Sequence, residues 1–364
     1  MTEEHLRLQE ARAQKLAWKK WGPYLSERQW GTVREDVKEY YFYLDSTPTH
    51  SYMKYLYQYP QAAYPYTDLV ATNRQRSRHE LEYELLDTGI FDEDRYLDIV
   101  VEYTKVAPDD ILIQISVVNR GPDTAALHVL PTLWFRNTWS WYEDAPKPQL
   151  RKVGGDVCAI GASHAALGEY ALSCASVDGR GGARPVLLFT DNETNAERIF
   201  GIPNRSPYVK DGIDSYVVHG KREAVNPAQV GTKAAAHYQI NVDAGETAVI
   251  QLRLRNVEQA EANLEAGAGM NADSFALFDT QFAIRRAEAD QFYHAITPDV
   301  DADVRNVLRQ ALAGMLQAVA SSPSSTSPSC GAFWRACSTR MSFSACTAFA
   351  RSCATTSIIR MPSR

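Results

Sequence analysis

The apolar period of this chain changes twice. Residues 3–20 place Leu6, Leu8, Ala11, Ala13 and Leu16 along one side of a helix, which Gly22-Pro23 ends. From residue 95 the period becomes two. "RYLDIVVEYTK" (95–105) reads as a strand with a β-branched middle. "DILIQISVVNRGPDTAALHVLPTLWF" (110–135) reads as strand, turn and strand, with Ile111, Ile113, Ile115 and Val117 on one face. "YALSCAS", "RPVLLFTDN" and "SYVVHGK" are further short strand candidates. "AAAHYQINVDAGETAVIQLRLRN" (234–256) reads as a second hairpin. Tyr238, Ile240 and Val242 precede its Asp243–Glu246 turn, and Ile250, Leu252 and Leu254 follow it.

Near residue 257 the period returns to 3.6. Phe275, Phe278, Phe282, Ile284, Ala289, Phe292 and Ile296 predict a helix over 271–296. A second helix is predicted to run to Leu316, with Pro298, Asp299, Asp301 and Asp303 near its start, where the acids complement the helix dipole. The expected fold is therefore mainly β, an antiparallel β-sandwich followed by helices. No strand–helix alternation suggests a parallel sheet with a nucleotide site. The expected parts are an N-terminal helix (1–22), a sandwich (23–256), a helical segment (257–316) and a tail (317–364). Two helices cannot bury their own apolar faces, so the helical segment needs partners.

Charge sets the tail apart. Residues 317–364 hold five Arg and no Asp or Glu, which leaves −11 on residues 1–316. They also hold Cys330, Cys337, Cys346 and Cys353, without histidine or paired-cysteine spacing, so neither zinc nor nucleic acid is expected there. A Ser-rich stretch with no apolar period is expected to be disordered, and its Ser/Arg/Pro/Ala/Cys mixture is also what an out-of-frame read of a GC-rich gene would give. The two remaining cysteines, Cys158 and Cys174, fit a reduced, disulfide-free protein. The charged N-terminus lacks a signal-peptide apolar region, and no apolar run approaches the ~18 residues of a membrane span. A cytoplasmic protein that does not enter a membrane is the expectation.

No nucleotide-loop, zincin or nucleophile-elbow motif occurs, and the eight histidines show no metal spacing, so neither cofactor nor metal is expected. Three stretches stand out. "WGPYLSERQWGTVRED" (21–36) carries Trp30 and Arg34. "LPTLWFRNTWSW" (130–141) carries Trp134, Arg136, Trp139 and Trp141 at a strand end. "FGIPNRSPYVKDGIDSYVVHG" (200–220) is a long polar loop. Aromatic rings beside Arg, Asn and Asp suit a sugar, whose apolar face stacks on indole while its hydroxyls take hydrogen bonds. The alternative is that these tryptophans are packing residues. The acids Asp87, Asp92, Glu93, Asp94 and Asp98 cluster, as do Glu35, Asp36 and Glu39, but a chain with 44 acids contains such groups as solvated faces, and none is assigned to catalysis. Asn192-Glu-Thr and Asn204-Arg-Ser match the N-glycosylation pattern by chance.

Several longer blocks, "KKWGPYLSERQWGTVRED", "VKEYYFYLDSTPTHSYMKYLYQYPQAAYPY", "YELLDTGIFDEDRYLDIVVEYTK", "LHVLPTLWFRNTWSW" and "AEADQFYHAI", together resemble the bacterial and fungal cytosolic branch of glycoside hydrolase family 63. These are relatives of the processing α-glucosidase that trims mannosyl-oligosaccharides. The resemblance runs from about Arg7 to Leu316. It implies an N-terminal supersandwich-like β domain, an (α/α)6 barrel, and inverting hydrolysis by an acid and a base that both lie in the barrel. It also implies that this chain carries only the first barrel helices, so its catalytic residues are none and an oligosaccharide is its expected ligand. In relatives a sizeable segment separates the "WGTVRED" and "VKEYYFYLD" blocks, whereas here Asp36 joins Val37 directly. A stand-alone carbohydrate-binding module is the alternative.

Overall fold

The computed structural model describes residues 1–21, 39–141, 145–153, 158–179, 184–257, 275, 278–321 and 341–344. Strands β1 (Tyr40–Ser46), β2 (Tyr52–Pro60), β3 (Tyr96–Ala107), β4 (Asp110–Asn119), β5 (Ala125–Val129), β6 (Thr132–Phe135), β7 (Gln149–Val153), β8 (Ala159–His164), β9 (Gly168–Cys174), β10 (Val186–Thr190), β11 (Val230–Gly231), β12 (Lys233–Val242), β13 (Thr247–Asn256) and β14 (Met341–Ser344) follow in order. The helices are α1 (Glu3–Arg12), α2 (Tyr66–Gln75), α3 (Ala196–Phe200), α4 (Gly212–His219), α5 (Phe278–Ile296) and α6 (Ala302–Ser321).

Among the described residues the strands form two sheets. One has nine strands in the order β1-β2-β3-β4-β13-β9-β8-β7-β11, and the other joins β10, β12, β6 and β14, with β5 also on β12. All of these pairings are antiparallel. The mainly β, antiparallel class expected from the period-two pattern is the one observed. Ile113, Ile115, Leu172, Ile250 and Leu252 of the larger sheet share one apolar cluster with Leu127, Val129, Phe135, Phe189 and Tyr238 of the smaller. On the other face of the larger sheet, Phe278, Phe282 and Ala289 of α5 cover Tyr52 and Leu112. Burial on both faces explains why the start of β4 is apolar at consecutive positions, Ile111, Leu112 and Ile113.

Neither expected hairpin forms. β4 pairs with β3 and β13, whereas β5 pairs with β12. β12 lies in the smaller sheet and β13 in the larger. Both turns instead carry the chain from one sheet to the other. Alternation specifies which face of a strand is apolar but not which strand it will pair with. Asn119, fully buried, ties the two crossings. Its side-chain amide donates to Val242 O (2.9 Å) and Asp123 O (2.7 Å), and its backbone N–H donates to Glu246 O (3.0 Å).

The N-terminal helix also departs from expectation. It ends at Arg12, and it buries Glu4 and Arg7 while Leu6 is 41% exposed. Glu4 accepts from Thr49 N (2.6 Å), Thr49 Oγ1 (2.8 Å) and Ser51 Oγ (2.8 Å), and Arg7 bridges to Glu288 of α5. A buried carboxylate with this many donors is well satisfied, so the polar face docks. Residues 215–221, expected as a strand, lie mostly in α4, which Gly220 ends at φ +67°. Ile213 of α4 packs with Leu130, Leu188 and Ala235, with Val217 and Val218 beside them. The Val-Val pair there imitates a strand in sequence.

Helix α5 matches the predicted span from Phe278 on, although Ile284 and Ile296 are exposed and Arg285 and Tyr293 are buried in their place. α6 starts where Asp301 Oδ1 accepts from Val304 N (2.9 Å) and continues past Leu316 to Ser321. Arg309 of α6 pairs with Asp45 of β1 and with Asp290 of α5 (2.6 Å), and Tyr293 OH donates to Ser46 O (2.6 Å). α6 is thus fastened to the edge strand β1 through Asp45, and α5, which lies across the face of the same sheet, reaches β1 through Tyr293. Within the expected tail, Met341–Ser344 pairs with β6, and the rest beyond Ser321 lies outside the described residues. No helix among the described residues is long and apolar enough to cross a membrane.

Candidate functional site

Trp30 and Arg34 lie outside the described residues. The other four expected site residues come from β6 and the loop that follows it. On β6, Leu133 and Phe135 join the core, so Trp134 faces the opposite way. It pairs in register with Lys233, and its Nε1 is buried without a hydrogen-bond partner among the described residues. Arg136 lies over the Trp141 ring at 5.3 Å, and Trp141 is 54% exposed. Trp139 packs on the rim of the main core and donates from Nε1 to Glu193 Oε1 at 2.7 Å. Among the described residues no ring contact joins Trp134 to Trp139 or Trp141.

The residues that complete this site come from the far end of β10. Glu193 Oε2 accepts from Asn137 Nδ2 (2.9 Å), so the carboxylate is held by the β6 loop through both oxygens. Asn192 Nδ2 donates to Phe135 O (2.9 Å), and Asn192 N donates to Thr232 Oγ1 (2.7 Å). Lys147 pairs with Asp191 (3.0 Å) and lies 6.0 Å from the Trp139 ring centre. The backbone is compact here: a Cβ on Gly231 would lie 2.2 Å from Thr190 O. The result is a half-exposed patch with an indole, a carboxylate fixed from one side, an amide and an ammonium. Each Glu193 oxygen keeps a lone pair beyond the one already used, and Lys147 has donors to spare. Such a patch can stack an apolar ring face and take hydroxyl donors.

Sequence reasoning passed over Glu193, Asn137, Asp191 and Lys147. Glu193 sits in the Asn192-Glu-Thr triplet, and nothing local marks it. Its place beside Trp139 arises because β10 and β6 both pair with β12.

The acid cluster at 87–98 is engaged elsewhere. Asp98 pairs with Arg120 (2.7 Å), Glu93 with Arg95 (3.0 Å), and Asp87 accepts from Glu84 N (2.7 Å). A second polar knot centres on Asp109, whose Oδ1 accepts from Trp21 Nε1 (2.9 Å), Tyr170 OH (2.6 Å) and Lys20 Nζ (2.7 Å). Burial alone would raise the Asp109 carboxyl, but the hydrogen bonds from Lys20, Tyr170 and Trp21 outweigh it and hold it below the usual range. Lys105, fully buried, donates to the carbonyls of Trp18 (2.5 Å), Trp21 (2.5 Å) and Thr49 (3.1 Å). These knots moor residues 18–21 to the larger sheet. Among the described residues no group of three or more His, Cys, Asp or Glu could hold a metal.

Fold and site together define an antiparallel β protein with helices packed on the larger sheet and a polar, indole-bearing rim on the smaller sheet. The chain is 31% identical over 414 residues to a Saccharomyces cerevisiae protein named "Uncharacterized protein YMR196W". That match takes in 86% of this chain and 38% of the yeast protein, so the chain spans well under half the length of the relative. Because 86% of 364 residues is about 313, roughly 100 of the 414 aligned positions have no residue in this chain. No family model matches the chain.

Proposed function

We propose that this chain is the β-sheet region, with the first barrel helices, of a protein related to the family 63 α-glucosidases, and that it hydrolyses nothing by itself. The observation that carries this reading is the state of its carboxylates. Inverting hydrolysis needs two carboxyls facing a shared bond, roughly 6.5–9.5 Å apart. Three of the acidic residues singled out in the sequence are instead tied to arginines or a turn amide: Asp98 to Arg120, Glu93 to Arg95 and Asp87 to the Glu84 N–H. The supersandwich-like domain and the start of an (α/α)6 barrel are the finer forms of the β-rich fold in this proposal. The yeast match, covering 38% of a longer protein, supports a chain that is one part of a larger architecture. The roughly 100 unmatched positions support a segment lost from this chain relative to the yeast protein, which the proposal places between Asp36 and Val37. Purified chain should release no glucose from α-linked gluco-oligosaccharides above a buffer control. Turnover that disappears on mutating one carboxylate in residues 1–316 would overturn the proposal.

A second reading is favoured by the Trp139–Glu193 pair: a carbohydrate-binding surface in which Trp139 and Trp141 stack a sugar and Glu193 and Lys147 bind its hydroxyls. Calorimetric titration with gluco-oligosaccharides should then show binding that Trp139→Ala reduces at least tenfold, a loss of about 1.4 kcal/mol. Unchanged affinity in that variant would remove this reading.

A further inference from the structure

The register of β8 and β9 pairs Ala159 with Ser173. One step further out, Cys174 N donates to Cys158 O at 2.8 Å, so the two cysteines stand directly opposite across neighbouring strands. Side chains of directly opposed residues leave the same face of a sheet. Cα atoms of a hydrogen-bonded antiparallel pair stand about 5.5 Å apart, inside the roughly 4.4–6.8 Å window that a disulfide spans. Both cysteines are free thiols, Cys174 buried and Cys158 half-buried.

We propose that Cys158 and Cys174 are a two-electron redox pair that closes to a cross-strand disulfide in the presence of hydrogen peroxide. Cys158 is the attacking sulfur because it is the one solvent reaches. Its thiolate displaces hydroxide from the peroxide and becomes a sulfenic acid. The Cys174 sulfur then attacks that sulfenic sulfur, the S–O bond breaks and the S–S bond forms. The hydroxide and the departing sulfenic oxygen take up the two thiol protons, so two thiols and one peroxide give one disulfide and two waters. The surroundings suit these roles. The hydrogen bond from Cys174 outweighs burial and pulls the Cys158 thiol below its usual range, with Lys152 and Arg184 adding positive charge. The same contact, together with burial, pushes Cys174 up. An attacking thiol of lowered pKa beside a partner that keeps its proton is the arrangement of peroxide-sensing cysteines. The Cys158 thiol also donates to Pro185 O (3.6 Å), just before β10, and oxidation removes that donor.

The test uses the whole chain. After exposure to hydrogen peroxide, free thiols are alkylated under denaturing conditions and the digest is mapped by mass spectrometry. A Cys158–Cys174 cross-linked peptide lacking two hydrogens, with alkylation lost at both positions together and restored by dithiothreitol, is the expected result. In Cys174→Ser, Cys158 should instead be captured by dimedone as a sulfenic acid. Should that variant not fold, the wild-type map decides alone. Cys158 and Cys174 both still alkylated, or Cys158 driven to sulfinic acid while Cys174 stays alkylated, would overturn the proposal.

Discussion

The Asn119 side-chain amide donates to the Val242 carbonyl at 2.9 Å, a contact between residues 123 positions apart. It joins the two places where the chain passes from the larger sheet to the smaller and back. Gln61 Nε2 donates to Asn119 Oδ1 (2.8 Å), and so does Gly121 N (2.9 Å). Asn119→Ala would leave buried carbonyls and an amide without partners, each at a cost of about 1–3 kcal/mol. Loss of about 2–4 kcal/mol is expected, read as a lower urea midpoint. A midpoint unchanged from wild type would show that the two crossings do not depend on this side chain.

Acid should weaken the fold through two histidines. His237, buried and 2.6 Å from His128, is lowered from 6.5 to about 4, by burial first and then by His128. His50 is lowered to about 3 by burial and then by the charges of Lys105 and Lys19. Both groups bind protons more readily when unfolded, so the stability they contribute is complete above pH 6.5 and is lost as the pH falls from there toward 4 and 3. For His237 the full loss is on the order of 3 kcal/mol. Urea midpoints measured across this range should drop steeply, and His237→Gln should flatten part of the slope while leaving that of His50. A variant with the wild-type slope would remove His237 from the account.

The edge strand β1 is tied to α6 by Asp45 and Arg309, whose side chains are 7% and 19% exposed. Burial pushes the Asp45 carboxyl above the usual range even against the attraction of Arg309. Removing one partner alone strands the other. Arg309→Met should cost about 2–4 kcal/mol, and adding Asp45→Asn to it should recover part of that loss. Equal destabilisation in the single and double variants would mean that the pair is not what fastens α6.

The rim site can be disturbed without touching any of its polar atoms. A methyl group on Gly231 would collide with Thr190 O at 2.2 Å, immediately before Asp191, Asn192 and Glu193. Gly231→Ala should cost about 1–3 kcal/mol and shift Glu193 away from Trp139. The Trp139 indole N–H resonance, followed by NMR, should then lose its hydrogen-bonded position. A resonance that stays where it was, in a variant that is destabilised, would separate the rim from the β10–β11 packing.

Much of the architecture can be read from alternation. Ile111, Ile113, Ile115 and Val117 mark β4, Tyr238, Ile240 and Val242 mark β12, and the spacing of Phe278, Phe282, Ala289 and Phe292 marks α5. β1 and β2 escaped that reading although Tyr55, Tyr57 and Tyr59 alternate in β2 and are buried, because a tyrosine, apolar in its ring and polar at its hydroxyl, marks a core face less plainly than an aliphatic residue does. α4 escaped because Val217-Val218 reads as strand-forming on its own.

What the amino-acid order determined by itself is the period of each segment, since that depends only on which neighbours along the chain are apolar. It therefore settled where most strands and helices lie and the antiparallel β class. Only the tertiary structure decided that β4 and β5, and β12 and β13, belong to different sheets. It also decided that α1 docks by Glu4 and Arg7, and that Glu193 meets Trp139. Each of those outcomes depends on satisfying hydrogen bonds and burying surface between residues far apart in the chain, and such pairings leave no local trace in the sequence.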